Sequence, residues 1–344
     1  MEHRTLGRSG CVVSTLCLGT MTFGQETDEP GARAQMDRYV EAGGNLIDTA
    51  DVYVDTESER IVGRWLADQS SDVRDRLVIA TKGRFPTGDG PNDVGLSRRH
   101  LTRALDASLR RLGVDAIDLY QVHSWDPLTP IDETLRFFDD AVAAGKVRYA
   151  GLSNFTGWQL QRTVDLAEFR GWPVPVTLQP QYNLLAREIE WELIPACAYN
   201  GLGLLPWSPL GGGWLTGKYQ RDEPPTGATR LGEDPERGVE AYGPRSRSQR
   251  TWDVLDVVRT IAEDRGVTMA QVALAWVVDR QTVTSVILGA RTVEQLEDNL
   301  GAADLHLTDD EVARLDEASD PGAADYPYGG PGQDQRSRAI PGTR

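Results

Sequence analysis

Four ionisable side chains follow three short apolar runs of the sequence, and together they could donate a proton to a polarised oxygen atom. Asp48 and Tyr53 follow the first run, Lys82 follows the second, and His123 ends the third. An ammonium beside Tyr53 would favour its phenolate and lower the pKa of this weakly acidic phenol. Asp48 would pair with Lys82 and hold the cation in place, while His123 would orient a carbonyl oxygen through a hydrogen bond. The set predicts general-acid chemistry, although each residue taken alone also has an ordinary structural explanation.

These side chains can meet only if the apolar runs lie side by side, and the pattern of the chain favours this. Eight β-type runs alternate with segments of helical spacing, which predicts parallel strands joined by crossover helices. The predicted strands are 16–19, 45–49, 77–81, 116–123, 147–153, 176–180, 202–208 and 284–289. The predicted helices are 31–42, 56–69, 97–111, 131–144, 157–169, 188–199 and 292–300. Eight such units predict a (β/α)8 TIM barrel that forms a single domain over residues 1–320.

Polar residues at the carboxyl ends of barrel strands are candidates for ligand binding, because ligands bind at that end of such barrels. Besides the four ionisable residues, this rim would carry Ser153, Asn154, Gln179, Trp207, Ser208 and the segment from Gly289 to Arg291. Trp207 has an alternative interpretation as an aromatic residue of the core.

Two additions fall outside the alternating pattern. Residues 219–250 are rich in proline, glycine and charge, which predicts a long surface loop after the seventh strand that could serve as a lid. Two successive helices, 253–265 and 269–278, would precede the last strand. Residues 321–344 form a Gly/Pro-rich C-terminal tail, which we expect to be extended or mobile.

Composition excludes several function classes. The 344 residues carry a formal charge of −16, so no basic excess exists for general nucleic-acid binding. Three cysteines, without metal-ligand spacing, argue against a disulfide framework or a metal site and favour a cytoplasmic location. The uncharged stretch 193–217 contains three prolines and six glycines, so we expect no membrane span. Nothing in the sequence indicates an oligomeric state.

Six segments resemble motifs of the aldo-keto reductase superfamily and occur in that family's order over roughly residues 3–318. They are GGNLIDTADVY (43–53), VIATKG (78–83), DLYQVHSWDP (118–127), GLSNF (151–155), PWSPLGGGWLTGKY (206–219) and ILGARTVEQLEDNL (287–300). The resemblance implies a (β/α)8 barrel and an NADPH-dependent reduction of aldehydes or ketones without a Rossmann domain. It also implies that Asp48, Tyr53, Lys82 and His123 form the catalytic tetrad, with Tyr53 as the proton donor.

The resemblance further implies the residues that hold the cofactor. Ser153, Asn154 and Gln179 would bind the carboxamide, and Trp207 would stack on the nicotinamide. The remaining implied contacts are Gly19, Thr20, Ser208, Pro209, Leu210, Gly212, Lys218 and Gly289.

Arg291, Gln295 and Asn299 lie one helical turn apart on one face and fit a 2′-phosphate and adenine site. Gly289 stands where many members of the family have lysine, which reduces the expected preference for NADPH over NADH.

Three alternatives to a general carbonyl reductase stay open at this point. A lysine at a strand end could form a Schiff base, as in an aldolase. The strings TMTFG and WSPLGGG also resemble channel-associated β subunits of the superfamily, which bind nucleotide and act through partners.

The substrate class is the third open question. We expect the carbonyl to be surrounded by Phe23, Val54, Phe85, Trp125 and Trp214, which predicts an apolar or aromatic pocket. The arginine-rich loop 219–250 would instead admit a polar ligand, as in a 3-keto-deoxysugar reductase.

Overall fold

Eight parallel strands form the central sheet of the computed structural model, which describes residues 1–221, 223–227, 229–323, 326–330 and 332. A two-stranded hairpin, β1 (His3–Thr5) and β2 (Val12–Ser14), precedes this sheet. The sheet strands are β3 (Leu16–Gly19), β4 (Leu46–Asp48), β5 (Val78–Gly83), β6 (Ile117–Val122), β7 (Val147–Ser153), β8 (Thr177–Gln179), β9 (Gly203–Leu204) and β10 (Val286–Leu288). Each of the eight predicted strands overlaps an observed one.

The sheet closes into a ring. Consecutive strands pair in chain order from β3 to β9, and β10 pairs with β3. On its other side, the segment leading into β10 bonds to β9, where Leu204 N–H donates to Thr282 O at 3.0 Å and Thr284 N–H donates to Leu204 O at 2.9 Å. The predicted (β/α)8 TIM barrel is therefore confirmed.

Helices alternate with the strands. They are α1 (Glu29–Glu41), α2 (Glu57–Asp68), α3 (Ser71–Arg74), α4 (Arg98–Leu112), α5 (Ile131–Ala143), α6 (Gly157–Arg170), α7 (Leu193–Asn200), α8 (Arg230–Glu233), α9 (Tyr242–Ser246), α10 (Gln249–Arg265), α11 (Met269–Val278), α12 (Val293–Leu300) and α13 (Asp309–Ala318). In α4, Ser97 caps the first turn by accepting the His100 N–H, and Gly113 ends the helix with a φ of 67°.

One predicted helix is divided. Residues 188–199 were expected to form a single helix, but Glu188–Glu190 is a 3₁₀ turn and α7 begins only at Leu193. Pro195 explains the break, because proline lacks an N–H and clashes with the carbonyl four residues earlier. It fits only in the first turn, so the helix must begin close to it.

The predicted surface loop 219–250 is more ordered than expected. It contains α8, the 3₁₀ turn Gly238–Glu240 and α9, and Leu231 and Glu240 are buried. Most of its described residues are exposed or half-buried, as expected for a surface segment, but short helices and a buried leucine anchor it to the barrel. Most of the predicted tail 321–344 lies outside the described residues.

The N-terminal hairpin, which the sequence pattern did not reveal, covers one end of the barrel. Leu6 and Val13 pack in the same cluster as the inward-facing Leu46, Ala80 and Leu119. This apolar cluster fills the end of the barrel that the hairpin covers. Polar residues that could bind a ligand are therefore expected at the opposite end, where the carboxyl ends of the strands lie.

The uncharged stretch 193–217 folds into α7, β9 and the 3₁₀ turn Gly211–Thr216. Across the described part of the chain, no helix has the length and apolar character that crossing a membrane requires.

Candidate active site

The alternation of side chains along β4 and β5 makes Asp48 and Lys82 face the interior of the barrel. Side chains of a strand point alternately to the two faces of the sheet. Asp48 lies two positions after the interior residue Leu46, and Lys82 lies two positions after the interior residue Ala80. Both therefore face the barrel interior at its carboxyl end, on neighbouring strands β4 and β5.

Asp48 and Lys82 form a buried ion pair. Lys82 Nζ donates to Asp48 Oδ2 at 2.6 Å and to the backbone oxygen of Thr49 at 2.9 Å. Burial lowers the pKa of Lys82, but the nearby Asp48 and Tyr53 more than offset that effect, so its pKa lies above its ordinary value. Lys82 is therefore a fixed ammonium rather than a neutral amine.

The second oxygen of Asp48 is held by two amides. Gln179 Nε2 donates to Asp48 Oδ1 at 2.9 Å, and Gln121 Nε2 donates to the same atom at 3.2 Å. Sequence reasoning missed Gln121, although it lies two positions after the interior Leu119 at the end of β6. These bonds fix the carboxylate plane, and thereby the position of Lys82.

Tyr53 reaches the ion pair from the loop after β4. Lys82 Nζ donates to the Tyr53 hydroxyl oxygen at 3.2 Å. The three residues that follow Tyr53 all have left-handed backbone angles, with φ of 47° at Val54, 50° at Asp55 and 76° at Thr56. Such angles are costly for residues other than glycine, so this turn is a strained feature next to the hydroxyl.

The pKa of Tyr53 departs from the expectation. Burial raises it more than Lys82 lowers it, so the pKa of Tyr53 lies above its ordinary value. The predicted net lowering is wrong for the protein without ligands, because desolvation of the phenolate outweighs the attraction of the ammonium. The phenol is consequently protonated at neutral pH, which is the form that can donate.

His123 completes the group. Its ring meets that of Tyr53 edge to face, with 5.9 Å between ring centroids, and its backbone N–H donates to Gly83 O at 3.0 Å. Burial, followed by the charges of Lys82 and Arg84, holds the pKa of His123 well below its usual range. The neutral imidazole can therefore donate a hydrogen bond to an oxygen without carrying charge.

The residues expected to hold a carboxamide form a connected chain beside the tetrad. Trp207 Nε1 donates to Asn154 Oδ1 at 3.0 Å, and Asn154 Nδ2 donates to His123 O at 3.0 Å. Ser153 Oγ donates to Gln179 O at 2.9 Å. These four residues thus lie together at the ends of β7 and β8 and in the segment after β9.

Two other expected contacts brace the strand ends. Thr20 is buried and its hydroxyl donates to Asp48 O at 3.1 Å. A Cβ at Gly19 would overlap the side chain of Ile287, so glycine here permits the close approach of β3 and β10.

The segment after Trp207 turns sharply. Ser208 has a φ of 54°, Pro209 is buried, Leu210 is half-buried, and Gly212 and Gly213 have φ of 64° and 98°. A Cβ at Gly213 would overlap the Lys218 side chain.

Arg291 is already paired in the structure, which the sequence did not indicate. Its guanidinium contacts Glu26 at 2.7 Å and forms two bonds of 2.9 Å with Glu233 of α8. Gln295 Oε1 accepts the Arg291 N–H at 2.9 Å, and Asn299 Nδ2 donates to Gly289 O at 3.5 Å. The three residues expected to bind the 2′-phosphate and adenine thus lie close together, and the Arg291 guanidinium is paired with two carboxylates.

The five expected substrate residues divide into two groups. Phe85 contacts the His123 ring with 4.7 Å between centroids, Trp125 packs against Phe155 and Trp158, and Val54 lies in the strained turn. Phe23 and Trp214 have no exposed surface.

Trp214 packs against Tyr219, Tyr242 and Trp252, and its Nε1 donates to Glu240 O at 3.0 Å. The assignment of Trp214 to the pocket is therefore wrong. It is the anchor of the segment 219–250, and Phe23 likewise belongs to the core.

Comparison with known proteins identifies the family. The model of the Aldo/keto reductase family matches residues 15–320. The chain belongs to this family. The chain is 41% identical to an uncharacterized oxidoreductase, YrpG, of Bacillus subtilis, with 92% of this chain and 94% of that protein covered. It is also 37% identical to a probable voltage-gated potassium channel subunit beta of Arabidopsis thaliana, over 89% of this chain and 92% of that protein.

A third relative is named for its reaction. The chain is 33% identical to the L-glyceraldehyde 3-phosphate reductase of Escherichia coli, with 92% of each protein covered. As an aldo/keto reductase, the protein is an oxidoreductase by family, and a group of side chains that could hold a metal is absent from the residues described.

Asp51, two residues before Tyr53, is a buried carboxyl group outside the tetrad. Asp51 has no exposed surface, and neither of its oxygens accepts a hydrogen bond with standard geometry from the described residues. Burial, reinforced by the nearby Glu59, raises the pKa of Asp51 to about 8. Asp51 is thus mainly protonated in the folded protein at neutral pH.

This carboxyl should make stability depend on pH. Between about pH 4 and about pH 8 the folded protein keeps a proton that the unfolded chain releases, so the contribution of Asp51 to stability falls as pH rises. Asn cannot ionise, so the Asp51→Asn variant lacks this loss of stability. The difference in melting temperature, variant minus parent, should therefore be several degrees larger at about pH 8 than at about pH 5. Scanning calorimetry at both pH values measures this, with Asp72→Asn on the exposed α3 as the control. An Asp51→Asn difference that is the same at both pH values contradicts the prediction.

Proposed function

We propose that this aldo/keto reductase reduces aldehyde or ketone carbonyls to alcohols with NADPH, and that Tyr53 donates the proton. The observation that carries the proposal is the contact of 3.2 Å between the Tyr53 hydroxyl and Lys82 Nζ, with Lys82 itself held by Asp48. An ammonium in this position stabilises the phenolate that remains once the proton has moved to the substrate oxygen. His123 would orient that oxygen as a neutral hydrogen-bond donor.

The residues present suit a nicotinamide dinucleotide. Such a cofactor supplies the hydride that no side chain can provide. Trp207, Asn154, Ser153 and Gln179 offer an aromatic face and amide groups beside the tetrad.

Two cationic side chains, those of Arg230 and Lys218, could bind the phosphates of the dinucleotide. Arg230 Nε is buried and lacks a hydrogen-bond partner among the described residues, and Lys218 lies against Gly213 in the turn after Trp207. Charge-assisted bonds from such groups to phosphate oxygens would satisfy them.

The Schiff-base alternative is less compatible with the site. A lysine that attacks a carbonyl must be neutral, and sites that use one lower its pKa by burial or by neighbouring cations. Lys82 instead contacts Asp48 at 2.6 Å, and its pKa lies above its ordinary value. An adduct is therefore not expected when a carbonyl substrate and borohydride are added together.

A second candidate function comes from the similarity to the potassium channel subunit beta. A protein acting mainly through partners would bind NADPH but turn over slowly. The deciding experiment is NADPH oxidation with a panel of aryl aldehydes, aliphatic ketones and keto-sugars, followed by absorbance. We expect steady turnover with at least one class. Cofactor binding without turnover on any carbonyl would favour the partner-protein alternative and contradict our proposal.

Arg291 should determine cofactor preference. A 2′-phosphate can form charge-assisted bonds with its guanidinium that NADH does not offer, and such bonds are worth about 1.5 to 3 kcal/mol. We expect Arg291→Ala to weaken NADPH binding roughly ten- to hundredfold and to leave NADH binding nearly unchanged. Fluorescence titration of both cofactors measures this.

The pairing of Arg291 supplies a control. Because Glu233 competes with a phosphate for the same guanidinium, Glu233→Gln should strengthen NADPH binding rather than weaken it. Equal losses for both cofactors in Arg291→Ala, or no loss for either, would remove Arg291 from the phosphate site.

A further inference from the structure

Arg84 brings a cation to the mouth of the active site. It follows β5 directly, two positions after Lys82, and has a φ of 152°, which is rare for a residue with a Cβ. Its guanidinium carbon lies 4.9 Å from the centroid of the Phe85 ring, and the Phe85 ring meets that of His123. One aromatic ring therefore separates the Arg84 cation from the imidazole of the tetrad.

The guanidinium of Arg84 is poorly satisfied. It could donate five hydrogen bonds, but it forms only one with the residues that the structure describes, from Nη2 to Trp125 O at 3.2 Å. Its Nε is buried without a partner, and Arg84 forms no ion pair with any residue that the structure describes. A buried donor without a partner costs free energy, so a bound acceptor would be favourable here. By contrast, Arg187 holds Glu190 through two bonds of 2.8 Å and 2.9 Å.

Asp126, an acid that interacts electrostatically with Arg84, does not serve as that acceptor. Asp126 feels the charge of Arg84, which contributes to the lowered pKa of its carboxyl. Its oxygens already accept bonds from Leu96 N–H at 2.8 Å, Leu128 N–H at 3.0 Å and Thr129 Oγ1 at 2.6 Å. Asp126 therefore braces the loop after β6 rather than pairing with Arg84.

The charged groups near Arg84 leave its guanidinium without an ion-pair partner among the described residues. Asp48 and Lys82 compensate each other, His123 is neutral, and Asp126 acts on Arg84 only through space. The protein as a whole carries −16, which repels anions at long range, so an anion must be recognised by a direct contact.

We propose that Arg84 binds an anionic group, a carboxylate or a phosphate ester, on the carbonyl substrate, about one aromatic ring away from the carbonyl. This inference rests on the proposed carbonyl reduction and narrows its substrate class to anionic aldehydes and ketones. The anionic group itself is unchanged in the reaction. Phe85 lies between the two polar ends and offers an apolar surface to the intervening part of the substrate.

Matched substrate pairs test the proposal. The carboxylate arm compares 4-carboxybenzaldehyde with its neutral methyl ester, and the phosphate arm compares glyceraldehyde 3-phosphate with glyceraldehyde. We expect the parent protein to prefer the anionic member of at least one pair by about tenfold or more in kcat/KM. In Arg84→Met this ratio should fall towards one, and Arg84→Lys should retain part of it. Arg103→Met, which removes an exposed arginine paired with Asp93, should keep the parent ratio.

Failure of the site and failure of the reaction give different results. Reduction of the neutral aldehydes without any preference for the anions, or a preference that persists in Arg84→Met, would overturn the anion site alone. If neither these aldehydes nor the ketones and keto-sugars of the substrate panel are reduced, the proposed reaction is overturned, and calorimetry with 4-(hydroxymethyl)benzoate and its methyl ester still decides on the site. The site is supported if the parent binds the benzoate more tightly than the methyl ester and Arg84→Met does not. It is overturned if the parent binds both compounds equally or binds neither.

Discussion

Tyr53→Phe should reduce the rate of carbonyl reduction by at least about 10²-fold, the contribution typical of a general acid. The substitution removes the hydroxyl that accepts a bond from Lys82 Nζ at 3.2 Å but leaves the ring that packs against His123. Because burial keeps the phenol protonated at neutral pH, the parent is in its donating form and the variant has no equivalent proton. Steady-state NADPH oxidation with a reducible aldehyde measures kcat, and fluorescence quenching measures NADPH affinity, which should barely change.

Tyr199→Phe provides the matched control for this experiment. Tyr199 lies on α7 and is 85% exposed, so loss of its hydroxyl should leave kcat at the parent value. If Tyr53→Phe reduces the aldehyde as fast as this control, Tyr53 is not the proton donor and another acid must be sought.

The barrel was predictable because its signal is local and repeated. The predicted run 116–123 contains the observed β6, and Ser97, the first residue of the predicted helix 97–111, is the N-cap of the observed α4. The seventh strand shows where local patterns mislead. The run 202–208 was expected to be strand throughout, but β9 ends at Leu204, shortly before Pro206, which has no N–H for the ladder.

The convergence of the Asp48, Lys82, Tyr53 and His123 side chains was predictable for the same reason. Strand ends of one parallel sheet meet at one edge, so side chains at those ends must approach each other. The pKa of Tyr53 was not predictable, because the sequence reveals that Lys82 is near but not how far the surrounding residues shield the half-buried Tyr53 from water. Burial decides the direction of the shift.

Long-range loop contacts could not be read from the chain. Arg291 pairs with Glu26, from the loop after β3, and with Glu233, from α8, and no periodicity connects these positions. Trp214 shows the same limit, since an aromatic residue in a glycine-rich turn can line a pocket or anchor the neighbouring segment. Its packing against Tyr242 and Trp252 shows that it is an anchor.

Lys82→Met should affect both activity and stability. Reduction should fall by about 10²-fold or more, because no cation then stabilises the phenolate of Tyr53. The Asp48 carboxylate would stay buried with only Gln121 and Gln179 as donors, and removal of one partner of a buried pair costs about 3 to 5 kcal/mol. Urea unfolding measures the stability loss, and NADPH oxidation measures the rate.

A double variant separates the two effects of losing Lys82. Asp48→Asn combined with Lys82→Met removes both charges, so no uncompensated carboxylate remains in the barrel and much of the lost stability should return. Activity should not return, because Tyr53 still lacks the ammonium that contacts its hydroxyl at 3.2 Å. Recovery of the parent rate in the double variant would show that Lys82 acts only by holding the fold, and the role assigned to it in proton transfer would have to be abandoned.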